Sequence, residues 1–391
     1  MQSTPLTGIR VLEIGSYISA PYAASLLCAL GADVVKVERP VSGDDFRRQV
    51  DHQSPYFRQY NAGKRSLAVD LKSPRGVALV RELVPGFDVV LENMRPGKMA
   101  ALGLGPENLL PLRSDLVYAS ITGFGSGGPL VQRPAYDTIG QAYGGIFSIL
   151  SDPGTAEFSG TCLADLITGM SAVTGILAAL VGRGTSGAAT LVETSLMEAI
   201  STLTIDAMTQ YFEDGHEDPS RRSRRPQAQN FVPATASGES LAIHLSSSQK
   251  FWFGLLQAMG RPELADDPRF VTYDDRRRHY FELAQIVEAE FRTKPVEEWE
   301  KLLTEADVPF APALGMSGYL DHPQTQWLEM TEPEDDGLAL LRPPWRFDGS
   351  RPRRTAPTPR VGEHSVEIAA EVCDESRIEE LITSGVLYRA A

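Results

Sequence analysis

The sequence has few of the residues that build metal sites and disulfide frameworks. Of its 391 residues, three are cysteine and six are histidine, and both are scattered along the chain. None stands in the CxxC, HxH or HExxH spacing that is typical of zinc sites, and three distant cysteines are a poor basis for a disulfide framework. The sequence therefore predicts no resident metal and a reducing compartment, for which the cytoplasm is the simplest choice.

The hydropathy and charge pattern of the sequence also predicts neither a membrane span nor a secretory leader. The N-terminal residues show no cationic segment followed by an apolar one, which a signal peptide requires. The longest apolar stretch, residues 166–181, is interrupted by threonine, serine and glycine and is shorter than the roughly 20 residues that cross a bilayer. The formal net charge of −14 opposes binding of nucleic acids or anionic membranes over the surface at large.

The first third of the chain alternates between strand and helix patterns. Segments rich in β-branched and apolar residues predict buried strands at 9–15, 33–38, 66–71, 88–93 and 116–122. Amphipathic segments between several of them predict helices. Because strands separated by helices form βαβ units, the pattern predicts an α/β fold with a parallel sheet covered on both faces.

The remainder of the chain predicts a second, smaller domain. We assign residues 1–212 to a first domain, since its last part is mainly helical in pattern. The polar residues 213–230 are typical of an exposed linker. Residues 231–318 carry strand and helix patterns of their own and are predicted to form the small domain. A proline- and arginine-rich tail, 319–391, follows.

One glycine-rich segment lies directly after a predicted strand. Residues 123–129, GFGSGGP, contain G-x-G-x-x-G. A dinucleotide fingerprint also needs a helix that starts there and an acidic residue about twenty positions later, whereas Pro129 and a polar stretch follow. The segment therefore predicts a tight turn at the carboxyl end of a strand, where open α/β sheets bind ligands. A nucleotide-dependent oxidoreductase is disfavoured.

Taken in order, several segments resemble the class III CoA-transferase family, which includes formyl-CoA, carnitine-CoA and bile-acid CoA transferases. The segments are LTGIRVLE, GADVVKVERP, NAGKRSLAVDLK, ENMRPG, SITGFGSGGP, PAYDTIGQAYGG and SGTCLADLITGM. The resemblance covers nearly the whole chain. It implies a Rossmann-like large domain formed by both chain ends, so that 319–391 return to it, an inserted smaller α+β domain, and an interlocked homodimer.

The resemblance identifies two aspartates as catalytic candidates. Asp165, in SGTCLADLITGM, matches the family's nucleophile, although its pattern alone favours a helix-capping aspartate. Asp137, in PAYD, matches a carboxylate near the active site that holds reacting groups or exchanges a proton, and Gln141 in the same block is a hydrogen-bonding candidate. A carboxylate nucleophile divides transfer of CoA between two acids into steps through a mixed anhydride and an aspartyl–CoA thioester.

Binding of the CoA nucleotide requires cations and backbone amides at strand ends, because CoA carries an adenosine 3′,5′-bisphosphate. The matching motifs imply that ten residues line the CoA site, with Lys72 expected to meet a phosphate: Arg39, Val69, Asp70, Leu71, Lys72, Glu92, Asn93, Met94, Arg95 and Tyr136. CoA and acyl-CoA are expected as substrates, together with a carboxylic acid. No permanently bound cofactor is expected.

Departures from the family's motifs define the alternatives. Tyr136 stands where the α-methylacyl-CoA racemases of this family have a histidine base, and a phenol with a pKa of about 10 is a poor base at neutral pH. Racemisation or another acyl-CoA isomerisation is therefore the alternative activity. Ile18 and Ala101 replace a glutamine and an arginine, and Ser246–Gln249 lies in the region of an absent glycine-rich lid. These differences disfavour formyl and oxalate specificity, while Asp165 disfavours a catalytically silent acyl-CoA-binding protein.

Overall fold

The computed structural model describes residues 4–49, 52–152, 154–354 and 356–390. The strands follow in chain order: β1 (Arg10–Ile14), β2 (Asp33–Glu38), β3 (Arg48–Gln49), β4 (His52–Gln53), β5 (Arg65–Val69), β6 (Val89–Glu92), β7 (Val117–Thr122), β8 (Thr190–Ser195), β9 (Asn230–Phe231), β10 (Leu241–His244), β11 (Phe310–Pro312), β12 (Thr331–Pro333), β13 (Ala339–Leu341) and β14 (Leu387–Tyr388).

The helices follow in chain order: α1 (Ser19–Ala29), α2 (Pro55–Asn61), α3 (Pro74–Leu83), α4 (Lys98–Ala101), α5 (Pro106–Leu109), α6 (Asp137–Tyr143), α7 (Ile146–Leu150), α8 (Leu163–Ser186), α9 (Leu196–Ser201), α10 (Ile205–Glu213), α11 (Arg224–Ala228), α12 (Gln249–Met259), α13 (Tyr273–Arg278), α14 (Tyr280–Phe291), α15 (Val296–Glu305), α16 (Met316–Asp321), α17 (Pro323–Trp327), α18 (Ser365–Ala369) and α19 (Glu375–Thr383).

A seven-stranded sheet organises the larger of two compact units, with the strand order β14-β5-β2-β1-β6-β7-β8. Its neighbouring strands are parallel except for β14, which pairs antiparallel with β5. From β1 the chain adds strands first on one side and then, starting with β6, on the other. A topological switch point therefore lies between β1 and β6. The predicted α/β fold with a mostly parallel sheet is confirmed.

Helices cover both faces of this sheet. On one face, α1 and α8 pack Leu27, Val173 and Ile176 into a core with the strands. On the other face, α3, α18 and α19 contribute Leu79, Ile368 and Ile378 to a second core. Because both faces are buried, strands β1, β2, β5, β6 and β7 are buried along most of their length instead of alternating, whereas the edge strand β8 alternates between half-buried and exposed residues for most of its length. The C-terminal residues thus return to the large unit, as the resemblance implied.

Paired charges lie inside this core beside the switch point. The ammonium of Lys36 is 2.8 Å and that of Lys64 2.6 Å from the carboxylate of Glu13, and the side chains of all three are fully buried. Lys36 also donates to the carbonyl oxygen of Gly15 at 2.8 Å and lies 2.9 Å from Asp44. A buried ion pair that loses one partner is strongly destabilised, so this network holds the loop after β1 in one place.

The smaller unit consists of residues 147–157 and 205–325. Its antiparallel sheet has the order β11-β10-β9. Helices α12, α14 and α15 pack against the sheet around the buried indoles of Trp252 and Trp299. This unit therefore has a hydrophobic core of its own, in an α+β arrangement.

The boundaries of the smaller unit differ from the predicted divisions at residues 212 and 318. Residues 213–230 belong to it and include α11, where we predicted a linker. Arg221 in this segment forms a salt bridge with Asp152 at 2.7 Å. The charged composition suggested a solvated linker, but part of the charge is paired within the folded unit.

Helix α8 is longer than the apolar stretch 166–181 suggested, because residues on both sides of that stretch continue the helix. Residues Leu163–Thr185 are long and apolar enough to cross a membrane by length and composition alone. The core helix of a soluble protein passes the same test. In this chain one face of α8 packs against α1 and the sheet through Ala172, Val173 and Ile176.

Candidate active site

Two cavities open at the carboxyl ends of the parallel strands. The first, of about 340 Å³, is lined by residues that end or follow β1, β2 and β5. The second, of about 260 Å³, is lined by residues that end or follow β1, β6 and β7. Ser16 and Met94 line both cavities. Since one of them follows β1 and the other follows β6, the cavities meet at the topological switch point, where open α/β sheets bind ligands.

Six of the ten residues predicted to bind CoA line the first cavity. They are Arg39, Val69, Asp70, Leu71, Lys72 and Met94. Lys98, which was not predicted, adds a further exposed cation. The lining thus combines apolar side chains with ammonium and guanidinium groups, and this combination suits a nucleotide base together with its phosphates.

The other four predicted residues lie outside the first cavity. Asn93, Arg95 and Tyr136 line the second one, and Glu92 lines neither. The buried carboxylate of Glu92 accepts the hydroxyl of Ser120 at 2.5 Å and the backbone N–H of Met94 at 2.6 Å. Burial raises the pKa of Glu92 to about 7. Glu92 therefore holds the backbone of Met94 in place between the two cavities.

Asn93 joins the loops on the two sides of the switch point. Its amide oxygen accepts the N–H of Ser16 at 3.0 Å, and its amide nitrogen donates to the carbonyl of Ser16 at 2.9 Å and to the hydroxyl of Ser19 at 3.1 Å. A side chain that pairs with both backbone groups of one residue fixes that residue's orientation. Asn93 thereby ties the end of β6 to the loop after β1.

Asp165 lines the second cavity from the first turn of α8. The helix begins at Leu163, so the N-cap position belongs to Cys162 and the capping interpretation of Asp165 is wrong. The cap comes from a distant residue. The backbone N–H groups of Ala164 and Asp165 donate to one carboxylate oxygen of Asp137 on α6, at 2.8 and 3.1 Å. Asp137 thus satisfies helix donors that the local sequence leaves unpaired.

Asp137 is itself held by Gln141, whose amide nitrogen donates to the second carboxylate oxygen at 2.6 Å and to the carbonyl of Thr161 at 3.1 Å. The two catalytic candidates are close together, because one carboxylate oxygen of Asp137, one of Asp165 and the sulfur of Cys162 lie within 4.8 Å of one another. The structure therefore brings together the two aspartates that sequence analysis singled out, with a thiol that it did not.

The carboxylate of Asp165 is left with free lone pairs. Among the described residues, no hydrogen-bond donor reaches its side-chain oxygens, since Asp137 occupies the nearby helix amides. Burial, with a further contribution from the charge of Asp137, raises the pKa of Asp165 to about 7. A desolvated carboxylate with free lone pairs is the state in which an aspartate is most reactive as a nucleophile.

The position of Asp165 depends on close packing one turn further along α8. A Cβ added at Gly169 would lie 2.8 Å from the ring of Tyr22 and 3.0 Å from the carbonyl of Ser19, so only glycine allows α8 to approach α1 this closely. The approach sets Asp165 beside the start of α1. Ile18 and Ser19 there line the same cavity. Within the described part of the chain, the first turn of α1 has no side-chain cap.

Two tyrosines bound the second cavity. The rings of Tyr17 and Tyr136 meet edge to face with their centroids 5.9 Å apart. Tyr17 has a φ of 64°, a left-handed conformation that costs a non-glycine residue about 1–3 kcal/mol. Its N–H lies 3.4 Å from the carboxylate of Asp44. Sequence analysis named Tyr136 and missed Tyr17, since no local pattern marks a strained backbone.

Arg133 also lines the second cavity and was missed by sequence analysis. It stands in the loop between GFGSGGP and PAYD, and its only sequence signal is a cation between two matching segments.

Two of the noted departures have a clear structural outcome. Ile18 lines the cavity of Asp165, as expected for the residue in the place of the family's glutamine. The segment Ser246–Gln249 forms a turn and the start of α12, where the hydroxyl of Ser248 accepts the N–H of Phe251. In place of a glycine-rich lid, the smaller unit therefore has a capped helix terminus at this point.

Comparisons with known proteins identify the family and the fold to which this chain is similar. The model of the family described as CoA-transferase family III matches residues 6–365. The chain is 30% identical to the succinyl-CoA:glutarate CoA-transferase of Mus musculus over 98% of this chain and 90% of that protein. It is 32% identical to the succinate–glutarate CoA-transferase of Agrobacterium fabrum over 94% of this chain and 96% of that protein. The crystal structure of a CAIB/BAIF family protein from Brucella suis superposes with a TM-score of 0.83 and 30% identity, covering 95% of this chain and 100% of that one.

Proposed function

The chain belongs to CoA-transferase family III, and we propose that Asp165 is the nucleophile with which it moves CoA from an acyl-CoA to a carboxylic acid. One observation carries the proposal. A desolvated carboxylate with free lone pairs lies in a cavity that meets a second, cation-lined cavity at the switch point of the sheet. Neither feature alone specifies transfer, but together they support the proposal of a nucleophile within reach of a bound thioester.

In the first half of the reaction, a carboxylate oxygen of Asp165 attacks the thioester carbon of the acyl-CoA. The carbon–sulfur bond breaks, and CoA thiolate leaves a mixed anhydride between Asp165 and the donor acid. The thiolate then attacks the side-chain carbonyl carbon of Asp165. The donor acid departs as a carboxylate, and an aspartyl–CoA thioester remains on the enzyme.

In the second half, the carboxylate of the acceptor acid attacks that thioester and displaces the thiolate, which gives a new mixed anhydride. The thiolate attacks the acceptor's acyl carbon, so that the new acyl-CoA forms and the carboxylate of Asp165 is restored. No net proton is gained or lost. Asp137 positions Asp165 through the helix amides, and the uncapped first turn of α1 supplies N–H groups for the oxyanions that form.

The nucleotide of CoA is assigned to the first cavity in this proposal. Arg39, Lys72 and Lys98 supply charge for its phosphates. The pantetheine arm then passes Ser16 and Met94, which line both cavities, and brings the sulfur to Asp165. The support for this path is that these two residues are shared by the two cavities.

The names of the two transferases from Mus musculus and Agrobacterium fabrum give their substrates as succinyl-CoA with glutarate and as succinate with glutarate. Succinate and glutarate are both dicarboxylic acids. We therefore propose that this chain also takes a dicarboxylic acid, either as the acyl group of its donor or as its acceptor.

Isomerisation at the α-carbon of an acyl-CoA remains the alternative activity, but the site favours it less. It requires two bases that face each other across the substrate. Tyr136 takes the place of one base, and Asp137, the carboxylate beside Asp165, is occupied by backbone N–H groups and by Gln141. Uptake of solvent deuterium at the α-carbon without an acceptor acid is the result that would favour this alternative.

Mass spectrometry of the intact protein tests the proposed function. After incubation with succinyl-CoA, we expect an adduct on Asp165 that corresponds to CoA joined through a thioester, and we expect hydroxylamine to remove it. Asp165→Asn should form no adduct and show no transfer to glutarate. Transfer at the wild-type rate by Asp165→Asn would refute the mechanism.

The proposal extends to the assembly and its location. Several apolar side chains are largely exposed in the single chain, and such exposure is typical of an interface between proteins. They are Val181, Ile205, Met208 and Phe212, each more than half exposed. We propose that they are covered in an interlocked homodimer.

The free state of Cys28, Cys162 and Cys373 supports a reducing, cytoplasmic location.

A further inference from the structure

The loop of residues 123–136 forms one side of the cavity that holds Asp165, and its ends are packed together. A Cβ added at Gly123 would lie 2.4 Å from the Cβ of Ala135, so the two ends approach as closely as a glycine allows. Inside the loop, the N–H of Gly125 donates to the hydroxyl of Thr122 at 2.9 Å. The N–H of Arg133 donates to the carbonyl of Leu130, also at 2.9 Å. The loop therefore places Arg133 at a defined point of the cavity wall.

Aromatic groups orient the side chain of Arg133. One guanidinium nitrogen donates to the hydroxyl of Tyr143 at 2.9 Å, and the guanidinium carbon lies 6.0 Å from the centre of that ring. Tyr143 in turn meets Phe124, a residue of the cavity wall, edge to face at 5.1 Å. In the described ranges of the chain, no carboxylate pairs with Arg133. Four of its five N–H donors are thus left for a ligand.

The guanidinium of Arg133 shares the cavity with Asp165 but is not paired with its carboxylate. Both side chains line one cavity, so a ligand bound there can contact Arg133 at one end and Asp165 at the other.

We propose that Arg133 binds the distal carboxylate of a dicarboxylic acid while the other carboxyl group reacts at Asp165. The inference rests on the proposed function and assigns the substrate preference to one residue. A dicarboxylate brings two negative charges to a cavity that already contains an aspartate, so a cation away from the nucleophile is needed. A guanidinium pairs with a carboxylate through two parallel hydrogen bonds. A monocarboxylic acid of equal length would present a methyl group to that cation and form no such pair.

Arg95 provides an internal control, because it is a second arginine of the same cavity in a different segment. It follows Met94, which lines both cavities, and it belongs to the ENMRPG motif that we assign to CoA. If Arg95 contacts CoA, its loss affects every substrate pair alike. Loss of Arg133 should instead depend on whether the acid has a second carboxylate.

The test compares glutarate with pentanoate as acceptors, with succinyl-CoA as the donor. Both acids have five carbons and differ only in the distal carboxylate. Because the exchange is of the ping-pong type, kcat/KM for the acceptor reports the second half of the reaction alone. We expect Arg133→Gln to lower kcat/KM for glutarate roughly tenfold to hundredfold, the range for a hydrogen bond to a charged group, and to leave pentanoate little changed. Arg133→Lys should restore part of the preference, since it keeps the charge and loses the paired geometry.

Arg95→Gln should change kcat/KM for the two acids by the same factor. An equal loss for both acids in Arg133→Gln would overturn the inference, as would a wild-type enzyme that does not prefer glutarate to pentanoate. The CoA adduct on Asp165 separates this failure from failure of the proposed function. An adduct in the wild type together with an equal loss for both acids refutes only the role of Arg133, whereas absence of any adduct or transfer in the wild type refutes the function itself.

Discussion

Ionising Asp165 costs more free energy than ionising an exposed aspartate, because burial and the charge of Asp137 both oppose the anion. As the proposed nucleophile, Asp165 must nevertheless be ionised to attack a thioester. We therefore expect kcat/KM for the acyl-CoA to rise with pH to a plateau, with an apparent pKa of about 7. A pH–rate profile with succinyl-CoA and glutarate measures it. A profile that is flat between pH 5.5 and pH 8, on the order of one unit to either side of that pKa, would contradict the assignment.

The carboxyl group of Asp165 also makes the free energy of unfolding depend on pH. Its contribution to stability falls over the pH range in which activity is expected to rise. The pKa of Asp165 is raised from 3.8 to about 7 on folding, so the folded state favours the protonated carboxyl group. The stability that this group contributes is complete below pH 3.8 and is lost as the pH rises through 7. Because asparagine does not ionise, the Asp165→Asn variant does not lose this stability as the pH rises. We expect the variant to exceed the wild type in unfolding free energy by about 2 kcal/mol at pH 8, once solvent screening is allowed for, and to match it near pH 4. Urea unfolding at both pH values measures the difference.

Asp137 influences Asp165 both through charge and through the helix amides, and two substitutions separate these effects. Asp137→Asn keeps an oxygen acceptor for the amides of Ala164 and Asp165 and removes the charge. We expect the midpoint of the pH–rate profile to move to lower pH, since the charge of Asp137 raises the pKa of Asp165. Asp137→Ala also removes the cap and should lower the unfolding free energy by about 1 kcal/mol. A midpoint that moves to higher pH in Asp137→Asn would show that the charge is not the cause.

At the scale of elements, the packing of α8 against α1 sets the position of Asp165, the proposed nucleophile, and two glycines of α8 allow a matched test. A Cβ at Gly169 would meet Tyr22 and Ser19, whereas a Cβ at Gly184 meets no atom within 4 Å. We expect Gly169→Ala to lower the unfolding free energy by about 1–3 kcal/mol through overpacking. Gly184→Ala should stabilise by up to about 1 kcal/mol through helix propensity. Urea unfolding of both variants measures these changes.

The two substitutions should also differ in their effect on catalysis. Separation of α8 from α1 moves Asp165 relative to the cavity, and a displacement of about 1 Å in an active site lowers the rate by roughly a hundredfold. We therefore expect Gly169→Ala to have a lower kcat than the wild type and Gly184→Ala to have the same kcat as the wild type. Equal kcat values for the two variants would mean that the approach of the helices does not position the nucleophile.

At the scale of the whole molecule, the proposed interlocked dimer makes a prediction about exchange. We expect a particle of twice the 42.6 kDa chain mass in sedimentation experiments. Two populations with different tags should form no mixed dimers when they are combined under native conditions, because interlocked chains separate only on unfolding. Mixed dimers should appear after joint unfolding and refolding. Rapid exchange between native populations would indicate an ordinary surface contact.

The sequence by itself determined the fold class and the two aspartates. Strands such as β2 and β6 are encoded by short runs of β-branched residues, and their alternation with helices requires a parallel sheet. Asp165 and Asp137 were identified as catalytic candidates because they stand in sequence motifs that follow one another in the same order as in the family. In isolation, the pattern around Asp165 favoured a helix cap, and that interpretation is wrong because the helix starts at Leu163.

The tertiary structure decided what surrounds these aspartates, because the decisive contacts join residues that are far apart in sequence. Asp137 accepts hydrogen bonds from the amides of Ala164 and Asp165, 27 and 28 positions away. Among the described residues, the side chain of Asp165 is therefore left without a hydrogen-bond donor. Glu13 pairs with Lys64, 51 positions away, inside the core. Arg133 enters the cavity of Asp165 only because the ends of its loop pack together. Local periodicity carries no information about such contacts, since it records which face of an element is buried and not which element lies against it.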